Sequence, residues 1–159
     1  MNYPVKEQIT QAVVAALEAI CTANGYATDG VEVCRPRRTG ERFVPRDKGV
    51  MVLQDAETRA ADEDLIGNPP AIGWRLAISC DVVARVSERE TRPMDQVLNM
   101  LEADVRKALM ADPRFAGLAV RSELGNTEYP GPEEGVEGLT VWLEVMYRVA
   151  ENDPYVNRA

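Results

Sequence analysis

The side chains able to do chemistry in this chain are almost all carboxylates and guanidinium groups, because its 159 residues include no histidine. That absence removes the commonest general base and the commonest neutral metal ligand. The tightest acidic cluster, Asp62-Glu63-Asp64, has the residue types to hold a divalent cation. It lacks the alternating ligands and the glycine of a calcium loop, so its spacing favours a solvated acidic connection. Glu133-Glu134 reads the same way. No pair among the 26 acidic residues stands in a motif for acid–base work. G-x-S-x-G, Walker and G-x-G-x-x-G patterns are absent. Cys21, Cys34 and Cys80 form no C-x-x-C and leave one over, which predicts reduced, buried small hydrophobes and not a disulfide framework. These residues predict neither catalysis nor a bound metal or cofactor.

Charge is more informative. Eighteen basic residues against 26 acidic ones give a net charge of −8, which disfavours general nucleic-acid binding. Yet residues 35–48, RPRRTGERFVPRDK, gather Arg35, Arg37, Arg38, Arg42, Arg46 and Lys48 against Glu41 and Asp47. This segment carries +4 and leaves −12 for the rest of the chain. Three readings of it stand: a solvated loop with scattered ion pairs, a contact to an acidic face of an identical or different subunit, or direct DNA contact. The last fits least well, since Phe43 is the one aromatic residue among the arginines.

The elements that must position these groups follow from periodicity. Pro4 suits a helix start, and Val5, Ile9, Val13, Ala16, Leu17 and Ile20 recur as one apolar stripe, so a helix is expected over 4–24. Gln11 and Glu18 interrupt this stretch, which therefore reads as an amphipathic helix and not a signal peptide, and synthesis in the cytoplasm is expected. Short strands are expected at 31–35 and 50–55, and Pro36, Gly40, Pro45 and Gly49 make the basic segment between them an exposed loop or the tip of a hairpin. Strict alternation over 72–86 (Ile72, Trp74, Leu76, Ile78, Cys80, Val82, Ala84, Val86) and over 136–150 (Leu139, Val141, Leu143, Val145, Tyr147, Val149) marks two long strands. Between them, Met94, Val97, Leu98, Leu101, Val105, Ala108 and Leu109 mark a second helix closed by Asp112-Pro113. A strand at 118–124, a turn-rich loop at 125–135 and a polar tail at 151–159 complete the chain. Trp74 belongs to the apolar register. Trp142 lies on the opposite register beside Thr140 and Glu144, where it is either an interface residue or covered by a loop of its own chain.

This order predicts a single α+β domain over residues 1–150, with one mixed, largely antiparallel sheet and both helices on one face. Fifteen strand residues extend to about 50 Å, against a diameter near 40 Å for a domain of this size. The long strands must therefore bend at bulges or project as arms that pair with a partner.

The layout of amphipathic helix, arginine-rich loop, long alternating strand, helix and final strand LTVWLEVMYRVAENDPYVNRA resembles the tail terminator (minor tail, tail completion) proteins of long-tailed bacteriophages. The most characteristic stretch is the strand running into Tyr147-Arg148, followed by Asp153-Pro154-Tyr155. The resemblance implies a structural protein of the virion tail or neck, assembled in the host cytoplasm as a ring, commonly of six subunits. Its partners would be further copies of itself, the tail tube protein and a head-completion or connector protein, with DNA passing through the lumen without specific binding. The family carries no catalytic residues, and these five positions transfer only as a pattern. Two other readings are a head–tail connector (adaptor or stopper) protein and, from another class, a small cytoplasmic binding domain or enzyme.

Overall fold

The computed structural model describes residues 2–38, 40–130 and 135–159. The acidic pair Glu133-Glu134 lies outside the described residues. The elements are α1 (Val5–Glu18), β1 (Val31–Cys34), β2 (Lys48–Arg59), β3 (Ala71–Arg85), α2 (Met94–Met110), β4 (Arg121–Glu128), β5 (Val136–Ala150) and β6 (Asp153–Asn157). The strands form one sheet in the order β1-β2-β3-β5-β4, with β6 also on β5. Among the described residues only the β1–β2 pair is parallel. The fold class is the expected α+β.

Period-two alternation explains the centre of the sheet. β3 and β5 pair without interruption from Ala71↔Ala150 to Arg85↔Val136, which sets Leu76, Ile78, Cys80 and Val82 opposite Val145, Leu143, Val141 and Leu139. These eight side chains are buried under the helices, with Val50 and Val52 of β2 beside them. From above, α1 contributes Val5, Ile9, Val13 and Leu17, and α2 contributes Leu101, Val105 and Leu109, all fully buried. Each such aliphatic side chain stabilises the fold by roughly 1.5–3 kcal/mol relative to exposure. The stripe read from each helix sequence is the face that packs.

The long strands do not project. β3 and β5 are buried near both ends (Ala71 and Ala84, Val136 and Ala150), and bulges fall on their neighbours, at Asp55 in β2 and at Gly125-Asn126 in β4. These bulges carry β2 on to Arg59 and β4 on to Glu128, past the expected ends at 55 and 124. β4 starts three residues later than expected because Phe115, Ala116 and Gly117 take left-handed backbone conformations in the turn after α2.

Three expectations need correction. The basic segment is not a hairpin: β1 and β2 run parallel, and a parallel pair needs a crossover of about a dozen residues, which 35–47 supplies. The first helix ends at Glu18, because Asn24 donates to the Ala19 carbonyl (2.8 Å) and Thr22 donates to the Asp29 carboxylate (2.8 Å from its backbone nitrogen), which turns the chain. The polar tail is structured: after a two-residue turn, β6 returns antiparallel to β5, with Asn157 opposite Val149.

Candidate assembly interface

The six basic residues of 35–48 divide into two groups. Arg35 donates to both Glu7 oxygens of α1 (2.7 and 3.2 Å) and holds that carboxyl below its usual range. The Arg46 backbone nitrogen donates to Glu32 (2.9 Å), with its guanidinium 3.8 Å from the same carboxylate. Lys48 is half-buried and pairs with Asp47 at 3.3 Å. Arg35 and Arg46 tie the crossover to the body, and Lys48 pairs within the segment. Arg37, Arg38 and Arg42 are exposed and stand on a turn closed by the Arg37 backbone nitrogen donating to Glu41 (2.7 Å).

That turn folds over the sheet face opposite the helices. Phe43 lies on Gly49, where an added Cβ would be 2.7 Å from the ring and from the Glu32 carbonyl, so only glycine admits both. Beneath the loop an open-sided cavity of about 540 Å³ is lined by Phe43, Met51, Leu53 and Val83, with Arg42 at its rim. On the β5 side the rim carries Glu137. Asp81 lines the cavity too. Burial pushes its carboxyl above the usual range, against a hydrogen bond from the Thr140 hydroxyl (2.7 Å), and the Asp55 charge adds to the rise. Arg85 and Arg89 join Arg46 around a second cleft of about 530 Å³. Glu88 and Glu90 interleave with them in sequence, so no charge run signals them.

The Asp62-Glu63-Asp64 cluster stands at the other end of the sheet and is held by arginine. Arg59 donates to both Asp64 oxygens (2.7 and 2.6 Å) and stacks its guanidinium 5.6 Å from the Trp74 ring centre. Glu63 accepts from Arg121 (2.7 Å) and Arg148 (3.2 Å), and Arg148 also donates to the Glu63 carbonyl (2.6 Å). Arg75 reaches Asp62 at 3.2 Å. The cluster is thus a clamp that fixes the 60–71 connection on the sheet. Among the described residues, no group of three or more Cys, Asp or Glu is placed to hold a metal ion.

The clamp is acid-sensitive. Arg59, with the Gly73 backbone amide, holds Asp64 down to about 2, and Arg121 holds Glu63 below its usual range. A carboxylate with a depressed folded-state pKa stabilises the fold above its unfolded pKa and loses that contribution as pH falls through the folded value. Amide protection over residues 60–71, relative to the intrinsic exchange rate at each pH, is therefore expected to fall between about pH 4 and pH 2, before the α1–β3–β5 core opens. Simultaneous exposure of both regions would contradict this.

Trp142 is half-buried on the open face. Its indole nitrogen is buried with no acceptor among the described residues, and a Cβ on Gly125 would come within 3.0 Å of its own Cβ. β4 therefore shields it in part, which fits the reading of cover by its own chain. The pattern residues of the chain's end are separated. Tyr147 is in the core with its hydroxyl donating to Glu57, Arg148 belongs to the clamp, and Asp153, Pro154 and Tyr155 lie in β6. Asp153 accepts from the Tyr155 backbone nitrogen (2.9 Å), and Tyr155 is exposed.

Among the described residues no helix is long and apolar enough to cross a membrane. Comparison of the chain with known protein families and with curated proteins finds no match in either.

Proposed function

We propose that this chain is a structural virion protein, the tail terminator of a long-tailed bacteriophage. In this reading its subunits assemble head to tail into a ring, of six copies, that caps the head-proximal end of the tail tube. The ring stops tube polymerisation and presents a docking surface to the head-completion protein. The observation that carries the reading is a separation of charge along one sheet. The +4 crossover at 35–48 sits over one end, beside Glu128 of β4 and Glu137 of β5, while the connections 59–71 and 148–153, at the other end, carry −3. Surfaces that differ in this way on one subunit favour heterologous contacts, which close into rings. The outer edges of the sheet favour end contacts over edge pairing. β2 and β4 carry bulges there together with Asp55, Glu57, Arg59, Arg121 and Glu123, features that blunt strand addition. The net charge of −8 suits a channel past which DNA slides.

Negative-stain microscopy and mass measurement, on the protein alone and mixed with purified tail tubes, test this. Rings and capped tubes are expected. A monodisperse 17.6 kDa monomer in both settings would sink the proposal. Rings that leave tubes uncapped and bind the portal side would instead identify a connector protein.

A further inference from the structure

The clamp holds a tight hairpin whose tip is apolar. Leu65 and Ala71 exchange backbone hydrogen bonds (3.0 and 2.9 Å), and the turn between them presents Ile66 fully exposed and Leu65 half exposed. Among the described residues Ile66 is the most exposed of the large apolar side chains. It stands on one of the most heavily cross-braced connections in the fold, tied by Arg59, Arg75, Arg121 and Arg148. An apolar side chain held rigidly in water is preorganised for a partner, since the ordering cost of binding is already met in the free protein.

The matching surface is on the same chain but out of its own reach. The cavity beneath Phe43 is bordered by Val83, while the hairpin adjoins Ala71. Twelve residues of β3 separate the two, about 40 Å of strand. A cavity of about 540 Å³, lined mainly by apolar side chains, has room for two branched aliphatic groups. The rims match on the loop side: exposed Arg37 and Arg38 stand with Arg42 on the loop over the cavity, across from Glu137 on the β5 side, and exposed Asp62 and Glu151 flank the hairpin. The Glu151 backbone nitrogen donates to the Pro70 carbonyl (3.0 Å), which sets that carboxylate beside the tip.

We infer that Leu65 and Ile66 of one copy seat in the cavity beneath Phe43 of the next copy, as the apolar anchor of a head-to-tail contact. This rests on the ring reading and names the contact that would hold it together. Ile66 fills the role of a buried hot spot, with the arginine and carboxylate rims around it excluding water. The clamp at Asp62-Glu63-Asp64 then serves assembly by aiming the tip.

Light scattering coupled to gel filtration, over a range of concentrations, tests the contact with two variants. Ile66→Glu removes the anchor at a fully exposed position and should keep the wild-type melting curve. Leu53→Trp fills the cavity, and its melting curve is checked in the same way. Each is expected to raise the concentration for half-assembly by about 30- to 100-fold. An equimolar mixture of the two retains one intact cavity and one intact anchor, and should stop at a dimer. Assembly of Ile66→Glu at wild-type concentrations would overturn the contact and leave the ring reading standing. A wild type that stays monomeric at every attainable concentration would overturn both. Loss of tube binding in Ile66→Glu with self-assembly intact would assign the anchor to the tube protein and overturn the self-contact.

Discussion

Asp104→Ala is expected to lower the melting temperature by about 6–12 °C, from a loss of about 3 kcal/mol in a chain of this size. Asp104 lies in the middle of α2, 5% exposed, and is the one carboxylate among the buried described residues. It accepts from the backbone nitrogens of Ala27 (3.1 Å to each oxygen) and Thr28 (2.8 Å) and from the Thr28 hydroxyl (2.6 Å). These bonds fasten the connection between α1 and β1 to α2, so that both helices and the start of the sheet share one anchor. Alanine would leave the Thr28 backbone donor and hydroxyl buried without an acceptor, each with its own desolvation cost, and would free the Ala27 backbone donor at the site's exposed edge. Asparagine keeps one acceptor oxygen and is expected to lose less, about 1–2 kcal/mol. A melting temperature for Asp104→Ala within 2 °C of wild type, by calorimetry at neutral pH, would contradict the role. Assembly below the transition should persist, because the site lies on the helix side of the sheet, away from the cavity.

Asp104 also shows where sequence reading stops. The residue interrupts the apolar stripe of α2, between Leu101 and Val105, but the spacing does not name the backbone amides it would meet 76 residues earlier. What was legible rested on period: alternation in β3 and β5 defined the core face, and helical spacing defined both packing faces. What was not legible rested on pairing. Val31 and Lys48 form a parallel register, and nothing local to either segment tells parallel from hairpin pairing. Glu57 and Arg59 carry β2 past its apolar stretch because they pair with Tyr147 and with Asp64 and Trp74. In the sequence they look like the start of a loop. Tyr155-Val156 is strand-forming, but Glu151, Asn152 and Asp153 before it gave the segment the composition of a tail. The acidic cluster was visible at once, and its meaning was not, because Arg121 and Arg148 arrive from strands far along the chain. The exposed arginines Arg37, Arg38 and Arg42 were legible as a group, whereas the cavity beneath them depends on Phe43 folding back across Met51 and Leu53.

Reversing those three arginines together, Arg37→Glu, Arg38→Glu and Arg42→Glu, should weaken ring or tail assembly by roughly 100-fold at low salt. An exposed charge pair contributes about 0.2–1 kcal/mol, and reversal replaces that attraction with a repulsion of similar size. Three reversals therefore sum to about 3 kcal/mol, which is two decades in affinity. Thermal stability should change far less, since exposed substitutions usually stay within about 0.5 kcal/mol each. The loop is also held by Arg35 and Arg46, which the variant leaves in place. Salt separates this rim from the apolar anchor. At 1 M ionic strength the screening length falls to about 3 Å, so the assembly deficit of the triple variant should shrink toward wild type, whereas that of Ile66→Glu should persist. Adding Glu151→Arg, which leaves the clamp's ion pairs in place, to the triple variant restores one opposite charge across the proposed contact, and is expected to recover part of the lost assembly in low salt. Equal assembly by wild type and triple variant in low salt would refute the electrostatic rim. A deficit that salt does not relieve would place those arginines in a packed contact and not in a steering one.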